Sequence, residues 1–286
     1  MDVRYCMDRF CMGQIVKMEE QIDMKIGFIG CGNMAKAMIN GILSSGQAAK
    51  EDIMASAKTE ATRNKIREQL GIRAAESNRE AVEFADVVFL AVKPQYFEEV
   101  LVEIRPAVSK QVFVSIAPGK TLAWLQERLG DGVKIIRTMP NTPAMVGAGM
   151  TGLCKNELVT HEEAEMVCRL CDSFGKTEIV PESLIDVVVG VSGSSPAYVF
   201  LFLEAMADAA VADGMPRAQA YKFAAQAVMG SAKLMLETGE HPGVLKDMVC
   251  SPAGTTIEAV RVLEEKGLRS AVIEAQRACV KKAKGL

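Results

Sequence analysis

The chain has 286 residues, of which 49% are hydrophobic and 24% are charged, and its formal net charge is −3. This length suffices for two domains with separate cores, and the composition is that of a globular protein. The small negative charge gives no reason to expect nucleic acid or an anionic membrane as a partner. Gly, Ser or charged residues interrupt the apolar runs before the roughly 18 residues that a membrane span needs. We therefore expect a soluble, cytoplasmic protein.

The first 23 residues differ from the rest of the chain. They carry mixed charges and several methionines but no apolar segment of the signal-peptide type. We treat residues 1–23 as an N-terminal extension, expect it to be disordered, and exclude it from the reasoning about the fold.

Short β-rich runs alternate with helical runs between residues 24 and 181. Such alternation is typical of a parallel sheet with helices on both faces. The predicted strands are 25–29, 53–56, 71–74, 87–92, 112–116, 134–137, 149–154 and 177–180. The predicted helices are 34–43, 59–70, 79–84, 96–104, 122–129 and 162–174. We expect residues 24–181 to form an α/β Rossmann-type dinucleotide-binding domain.

Strand signals stop after Pro181, and residues 182–286 are predicted to form an all-α domain. Its predicted helices are 184–189, 197–213, 216–237, 242–249, 256–266 and 269–282. Helices 197–213 and 216–237 are apolar over most of their circumference, and such helices must be buried. About 100 residues cannot bury two of them well, so we expect a homodimer built through this domain.

A glycine-rich turn follows the first predicted strand and opens the first helix. Gly30 permits a tight turn, Gly32 lets a pyrophosphate approach the backbone, and the small Ala35 allows the helix to pack closely on the strand. The GxGxxA spacing alone is a weak signal, but its strand–turn–helix context predicts dinucleotide binding. We predict that the loop residues Asn33 and Met34 also contact the cofactor. The alternative is a glycine turn that only serves packing.

The end of the second strand bears on the choice of cofactor. An NAD-binding fold usually places Asp or Glu there to bind the ribose 2′-hydroxyl, whereas this chain has Ser56 and Lys58. These residues suit a 2′-phosphate, so the sequence favours NADPH over NADH. In the alternative interpretation, Lys58 is an ordinary solvated loop lysine.

Three further loops follow strands four, five and six. Ligands of open α/β sheets bind beyond the carboxyl ends of the strands, so these loops are predicted to border the cofactor cleft. Their candidate cofactor-binding residues are Ala91, Val92, Lys93, Pro94, Ala117 and Asn141. Lys93 could instead be a surface lysine that precedes a helix.

Cys168 and Cys171 form a CxxC pair within predicted helix 162–174. There the spacing simply places both residues on one helix face, so we expect neither a redox role nor a metal site.

A second small-residue turn, Ser251-Pro-Ala-Gly-Thr-Thr256, leads into another apolar-periodic helix. The free N–H groups at the start of that helix and the nearby hydroxyls suit a carboxylate. The cofactor loop and this loop together predict an enzyme that acts on a small carboxylate.

The chain resembles the pyrroline-5-carboxylate reductases from Met24 to its C-terminus. The resemblance rests on five stretches, 27–35, 91–95, 139–143, 191–198 and 245–256, of which the last two together are specific to the family. The sequence departs from the common pattern at Ser195, where the family usually has Gly, and at Ala253-Gly254, where it usually has Gly-Gly.

The resemblance implies reduction of the cyclic imine of 1-pyrroline-5-carboxylate to L-proline with hydride from NAD(P)H. It implies that Thr256 hydrogen-bonds the ring nitrogen and supports protonation, and that Ser251, Gly254 and Thr255 bind the carboxylate. A helix N-cap is the competing role for Thr256. The resemblance also implies a site completed by a partner subunit, and dimers that can assemble further into decamers.

Two other functions compete with this one. A 3-hydroxyacid dehydrogenase of the related two-domain class would need a lysine within residues 192–204, and this stretch has none. A non-catalytic NADP(H) sensor would have no need of the hydroxyls in the second loop.

Overall fold

A computed structural model describes residues 24–285 of the chain, so the predicted disordered extension, 1–23, lies outside the described residues. Eight strands form one sheet in the order β3-β2-β1-β4-β5-β6-β7-β8. The strands are β1 (Ile26–Ile29), β2 (Ile53–Ser56), β3 (Arg73–Ala75), β4 (Val87–Leu90), β5 (Val112–Ser115), β6 (Lys134–Met139), β7 (Gly149–Lys155) and β8 (Gly175–Ile179). The order places β1 beside both β2 and β4, and the direction of winding reverses at β1. This is the topological switch point beyond which ligands bind in such sheets.

The predicted parallel sheet is confirmed for β1 to β6, while β7 and β8 run in the opposite direction. β1 to β6 pair in parallel, whereas β7 runs antiparallel to β6 and β8 runs parallel to β7. Only a short 3₁₀ segment, Thr142–Val146, connects β6 to β7. A parallel crossover needs about a dozen residues or more, so this connection forces the chain to reverse.

Six helices accompany the sheet. They are α1 (Asn33–Ser44), α2 (Glu60–Lys65), α3 (Asn78–Phe84), α4 (Phe97–Ile104), α5 (Leu122–Leu129) and α6 (His161–Asp172). One buried apolar cluster joins sheet residues to α1 and α6, and a second joins them to α3, α4 and α5. The helices therefore cover both faces of the sheet, as the alternating pattern predicts.

The start of α2 lines one side of a cleft beside the sheet, through Thr59, Thr62 and Arg63. The side chain of Thr59 accepts a hydrogen bond from the N–H of Thr62 and caps the helix. The predicted helix 59–70 is interrupted, because Ile66–Leu70 forms a π turn that ends at Gly71 with a φ of 68°.

The rest of the described chain is helical. It comprises α7 (Glu182–Val188), α8 (Ser195–Ala212), α9 (Arg217–Thr238), α10 (Pro242–Val249), α11 (Thr255–Glu265) and α12 (Leu268–Ala283). Every predicted helix beyond Pro181 is present, with ends within two residues of the prediction. The fold is thus a Rossmann-type sheet domain followed by helices, as predicted.

One helical stretch is longer and more apolar than the expected interruption of apolar runs would permit. By length and composition alone, Glu182–Ala212 could cross a membrane, with 31 residues and a mean hydropathy of 1.6. The expectation that every apolar run is interrupted too early is wrong here, since Gly and Ser interrupt this run without adding charge. Only 17% of its most apolar window is buried, so much of this apolar surface is uncovered in the single chain.

Polar contacts fix the helical part to the sheet. The guanidinium of Arg137 on β6, only 2% exposed, lies 3.4 Å from Glu182 and 3.0 Å from Asp186 of α7. Asn141, just after β6, donates to the carbonyl of Ser192 at 3.0 Å. The π-helical turn Val189–Gly193, the Ser192 segment, is therefore held at the end of β6.

Candidate functional site

The turn after β1 has the geometry that a bound pyrophosphate requires. Gly30 has a φ of 89°, and a Cβ there would lie 2.8 Å from Cγ1 of Val92, so only glycine fits without strain. A Cβ on Gly32 would meet no atom within 4 Å. The first glycine thus makes the turn, and the second leaves open space over the backbone for a ligand.

Helix α1 begins directly at this open space. Gly32 is its N-cap residue and supplies no side-chain cap, and the first helical bond runs from the N–H of Lys36 to the carbonyl of Gly32. Among the described residues, the N–H groups of Asn33, Met34 and Ala35 therefore have no protein partner. An uncapped helix start with free N–H groups attracts phosphate oxygens.

A cleft of about 510 Å³ lies beyond the carboxyl ends of β1, β2 and β4, within the size range of ligand sites. The structure brings together seven predicted residues in its lining: Gly30, Gly32, Ser56, Lys58, Ala91, Val92 and Lys93. The other predicted cofactor residues, Asn33, Met34, Ala35, Pro94, Ala117 and Asn141, are not part of this lining.

Ser56 has a different position from the one the sequence suggests. It is 1% exposed, accepts a hydrogen bond from the N–H of Gly30 at 3.2 Å, and donates to Oδ1 of Asn78 at 2.6 Å. Nδ2 of Asn78 donates in turn to Glu103 at 2.7 Å. Because the hydroxyl is already used within the protein, Ser56 braces the glycine turn and is not available to hold a 2′-phosphate.

Lys58 is exposed, and its Nζ lies 5.7 Å from the centre of the Tyr96 ring. Three residues that the sequence did not predict, Tyr96, Asn78 and Arg63, also line the cleft. Asn78 and Arg63 lie within helices whose exposed polar residues carry no distinctive spacing. No local signal therefore marks these two residues as part of the cleft.

Two predicted cofactor residues on the later loops are buried. Ala117 is 3% exposed. Asn141 is 8% exposed, and its amide is engaged on both sides, since Oδ1 accepts from the N–H of Met150 at 2.8 Å while Nδ2 donates to Ser192. In this structure Asn141 connects β7 to the Ser192 segment, a role that its loop position did not reveal.

Burial favours the neutral thiol at two cysteines, Cys31 near the cleft and Cys171 in α6. Burial raises the pKa of Cys31, so no thiolate stands where a pyrophosphate would bind. Cys171 is fully buried in α6, and burial raises its pKa well above the usual value. Within residues 24–285, no cluster of three or more His, Cys, Asp or Glu side chains could hold a metal ion.

The second loop repeats the local geometry of the first. Gly254 is the N-cap residue of α11, with φ −80° and ψ 170°, close to the −78° and −173° of Gly32. No side chain caps α11, so the interpretation of Thr256 as the N-cap is wrong. Thr256 is the second residue of α11, and its hydroxyl has no hydrogen-bond partner among the described residues.

Backbone geometry sets this second loop apart. Ala253 has a φ of 57° and is the one non-glycine residue with positive φ in the described chain. Ser251, Ala253 and Thr255 are exposed, while Gly254 and Thr256 are partly buried. The loop thus presents two hydroxyls and an uncapped helix start to its surroundings.

Neither histidine competes for a chemical role. Nδ1 of His241 accepts a hydrogen bond from the N–H of Gly243 and caps α10, directly before the start of the predicted helix 242–249. His161 is exposed and lies 3.2 Å from Glu165 on the same helix.

In the described part of the single chain, the second loop does not line the cleft that contains the first. All residues that line the cleft come from the segment 30–103. The helices beyond Pro181 expose many large apolar side chains, including Phe200, Leu201, Phe223, Leu236 and Met248, each at least 63% exposed. Of the residues in α8, only Ala207 is buried.

The doubly wound sheet, the glycine turn and the uncapped α1 define the cofactor domain of a dinucleotide-dependent oxidoreductase. A family model described as NADP oxidoreductase, coenzyme F420-dependent, matches residues 25–119, and one described as pyrroline-5-carboxylate reductase dimerisation matches residues 182–286. The chain is 58% identical to pyrroline-5-carboxylate reductase of Escherichia coli (strain K12) over 266 residues, which cover 93% of this chain and 99% of that one. This chain belongs to the pyrroline-5-carboxylate reductase family.

Solved structures agree with this assignment. A pyrroline-5-carboxylate reductase from Coxiella burnetii matches with a TM-score of 0.86 and 35% identity, over 92% of this chain and 98% of that one. Pyrroline carboxylate reductase from Plasmodium falciparum, solved with NADP bound, matches with a TM-score of 0.83 and 30% identity, over 93% and 98% of the two chains.

Proposed function

We propose that this chain is an NAD(P)H-dependent reductase that converts 1-pyrroline-5-carboxylate to L-proline, the last step of proline biosynthesis. The observation that carries the proposal is the 58% identity to the E. coli enzyme over nearly the full length of both chains. The two uncapped helix starts, at α1 and α11, supply the two anion sites that this reaction needs, one for the cofactor pyrophosphate and one for the substrate carboxylate.

The residues of the glycine turn fit a dinucleotide. Gly32 leaves the space, the N–H groups of Asn33, Met34 and Ala35 would hold the pyrophosphate, and Ser56 keeps Gly30 in place. Ala91, Val92, Lys93 and Pro94, together with Ala117 and Asn141 of the later loops, complete the proposed cofactor set. When bound, the cofactor supplies hydride from its nicotinamide.

The second loop is proposed to hold the substrate. Ser251 and Thr255 would donate hydroxyls to the carboxylate, and the N–H groups that follow Gly254 would complete its binding. Thr256 would hydrogen-bond the ring nitrogen and support its protonation, which makes the imine carbon a better hydride acceptor. Since its hydroxyl has no hydrogen-bond partner within residues 24–285 and the N-cap position belongs to Gly254, Thr256 is available for this role. The protein thus contributes mainly through positioning.

We further propose that the active unit is a homodimer joined through residues 182–286, with residues 24–181 as the cofactor domain. Apolar helices exposed in one chain become buried when a second copy packs on them, and a dimerisation family model matches this segment. In such a dimer, the helical domain of one subunit would complete the site of the other, and dimers could assemble further into decamers. We place the enzyme in the cytoplasm, without nucleic acid or membrane as a partner.

The direct test mixes purified protein with 1-pyrroline-5-carboxylate and NADPH and follows the loss of nicotinamide absorbance, with proline measured as the product. We expect oxidation of NADPH and formation of an equal amount of proline. A dinucleotide-binding sensor would bind NADPH without oxidising it, and a 3-hydroxyacid dehydrogenase would turn over only with a hydroxy acid. Either result would refute the proposal.

A further inference from the structure

We infer that Arg63, rather than Ser56, recognises the adenosine 2′-phosphate of NADPH and sets the preference for NADPH over NADH. This inference rests on the proposed function, because it assumes that the cleft holds the adenosine end of the cofactor. Its basis is the placement of Arg63 in the cleft wall, its anchoring and its two unused hydrogen-bond donors.

Arg63 belongs to α2, directly after β2, where the ribose of a dinucleotide lies in this fold. It lines the cleft together with Lys58, Thr59 and Thr62. The side chain of Arg63 is only 17% exposed, whereas Lys58 is exposed and its Nζ lies 5.7 Å from the centre of the Tyr96 ring. Of the two cations at this end of the cleft, Arg63 has the better-fixed position.

Three hydrogen bonds hold the guanidinium in place and leave part of it free. Nε donates to Glu60 at 2.9 Å, Nη1 donates to the carbonyl of Ala57 at 3.1 Å, and Nη2 donates to Glu60 at 2.5 Å. A guanidinium has five N–H donors, so one N–H on Nη1 and one on Nη2 have no hydrogen-bond partner among the described residues. Two donors on a fixed guanidinium match the way in which arginine binds a phosphate.

The cleft offers few free hydrogen-bond acceptors to the ribose 2′-hydroxyl that NADH carries instead of the 2′-phosphate. The hydroxyl of Ser56 is engaged by Gly30 and Asn78, and both sides of the Asn78 amide are used by Ser56 and Glu103. The carboxylate of Glu76, which also lines the cleft, is paired with Arg63 at 3.4 Å and with Arg67 at 2.8 Å. At the end of β2, where NAD-binding folds place the carboxylate acceptor, this chain has Ser56, and the nearby Glu76 carboxylate is already paired with two arginines.

Arg67 provides a matched control for Arg63. It pairs with the same two carboxylates, Glu60 at 3.0 Å and Glu76 at 2.8 Å, but does not line the cleft. Replacing either arginine removes one positive charge from the same cluster. Only the Arg63 substitution removes a donor that can touch the ligand.

The experiment measures binding to the full-length protein by titration calorimetry, with NADP⁺, NAD⁺ and adenosine 2′,5′-bisphosphate as ligands. We expect Arg63→Ala to weaken NADP⁺ and the bisphosphate by roughly 10- to 100-fold, the range for hydrogen bonds to a charged group. It should change NAD⁺ binding by less than about threefold. Arg63→Lys should retain part of the NADP⁺ affinity, and Arg67→Ala should leave all three affinities within about threefold.

Several results would overturn the inference. Equal weakening of NADP⁺ and NAD⁺ by Arg63→Ala would show a structural role for the side chain. If Arg63→Ala weakens the binding of neither dinucleotide, or if Arg67→Ala loses the same NADP⁺ affinity, Arg63 makes no direct contact with the phosphate. Failure of the wild-type protein to bind either dinucleotide would refute the proposed function as well, a result that the variants alone cannot produce. If Arg63→Ala does not fold, seen as a lost thermal transition, the same three affinities measured on Arg63→Lys decide the question.

Discussion

Ala253 in the substrate loop allows a test of the loop geometry that does not depend on catalysis. Its φ of 57° lies in the left-handed region, which costs an L-residue about 1–2 kcal/mol relative to glycine. Glycine at this position would also gain entropy in the unfolded chain, which offsets roughly 0.4–1 kcal/mol. We therefore expect Ala253→Gly to raise the free energy of unfolding by about 1 kcal/mol, equivalent to a Tm increase of roughly 2–4 °C.

Ala259 provides the matched control for this prediction. It is an exposed residue in the interior of α11, where glycine is destabilising by roughly 0.5–1 kcal/mol. The two Ala→Gly variants should thus shift stability in opposite directions, as measured by denaturant unfolding at one protein concentration. For Ala253→Gly, kcat/KM should stay within about twofold, because the loop already has its left-handed turn in the folded chain. If both variants lose stability to a similar extent, the described geometry of the loop is wrong.

Three further predictions concern the two loops and the buried thiols. Gly32→Ala should leave the thermal stability of the free protein unchanged, because the added Cβ meets no protein atom within 4 Å. The same change should weaken the binding of NADPH at least about tenfold in a fluorescence titration. An unchanged affinity would contradict the pyrophosphate site. Thr256→Ala should lower kcat/KM by about tenfold or more. The free energy of unfolding should change by less than roughly 0.5 kcal/mol, since Gly254 and not Thr256 is the N-cap residue. A loss of stability with full activity would show that Thr256 caps the helix instead. Burial raises the pKa of Cys154 to about 12 and that of Cys171 well above 9.0, so both thiols stay protonated up to pH 9. Iodoacetamide at pH 8 should modify them only after denaturation, as read by mass spectrometry, and rapid modification of the native protein would contradict their burial.

Much of the fold could be predicted from the sequence because its signals are local. The alternation of β-rich and helical runs, the GxGxxA turn and the small residues of 251–256 each act through the backbone of their own segment. For this reason the predicted helices and strands are present and both loops open uncapped helices. The antiparallel β7 was not predicted, because its direction depends on how the short Thr142–Val146 connection packs.

The cleft could be predicted only in part, because its wall combines distant segments. Ser56 has a suitable residue type for a phosphate contact, but its tertiary partners Gly30 and Asn78 use its hydroxyl. Arg63 and Asn78 carry no motif, and their position follows from the packing of α2 against β3 and of α3 against β2. The α8 surface was predicted to need a partner, since an excess of apolar residues around a helix can be read without any knowledge of neighbours.

Mixing two impaired variants, assayed at subsaturating NADPH, tests the central claim, that one site uses the cofactor loop of one subunit and the substrate loop of its partner. Gly32→Ala impairs the first loop and Thr256→Ala the second, so a mixed dimer with shared sites contains one site with both loops intact. After equal mixing and reassembly, half of the dimers are mixed, and we expect about a quarter of the wild-type activity above the background of the separate variants. If each site uses both loops of a single subunit, every site in the mixture carries one substitution. Activity that stays at the average of the two separate variants would contradict the account.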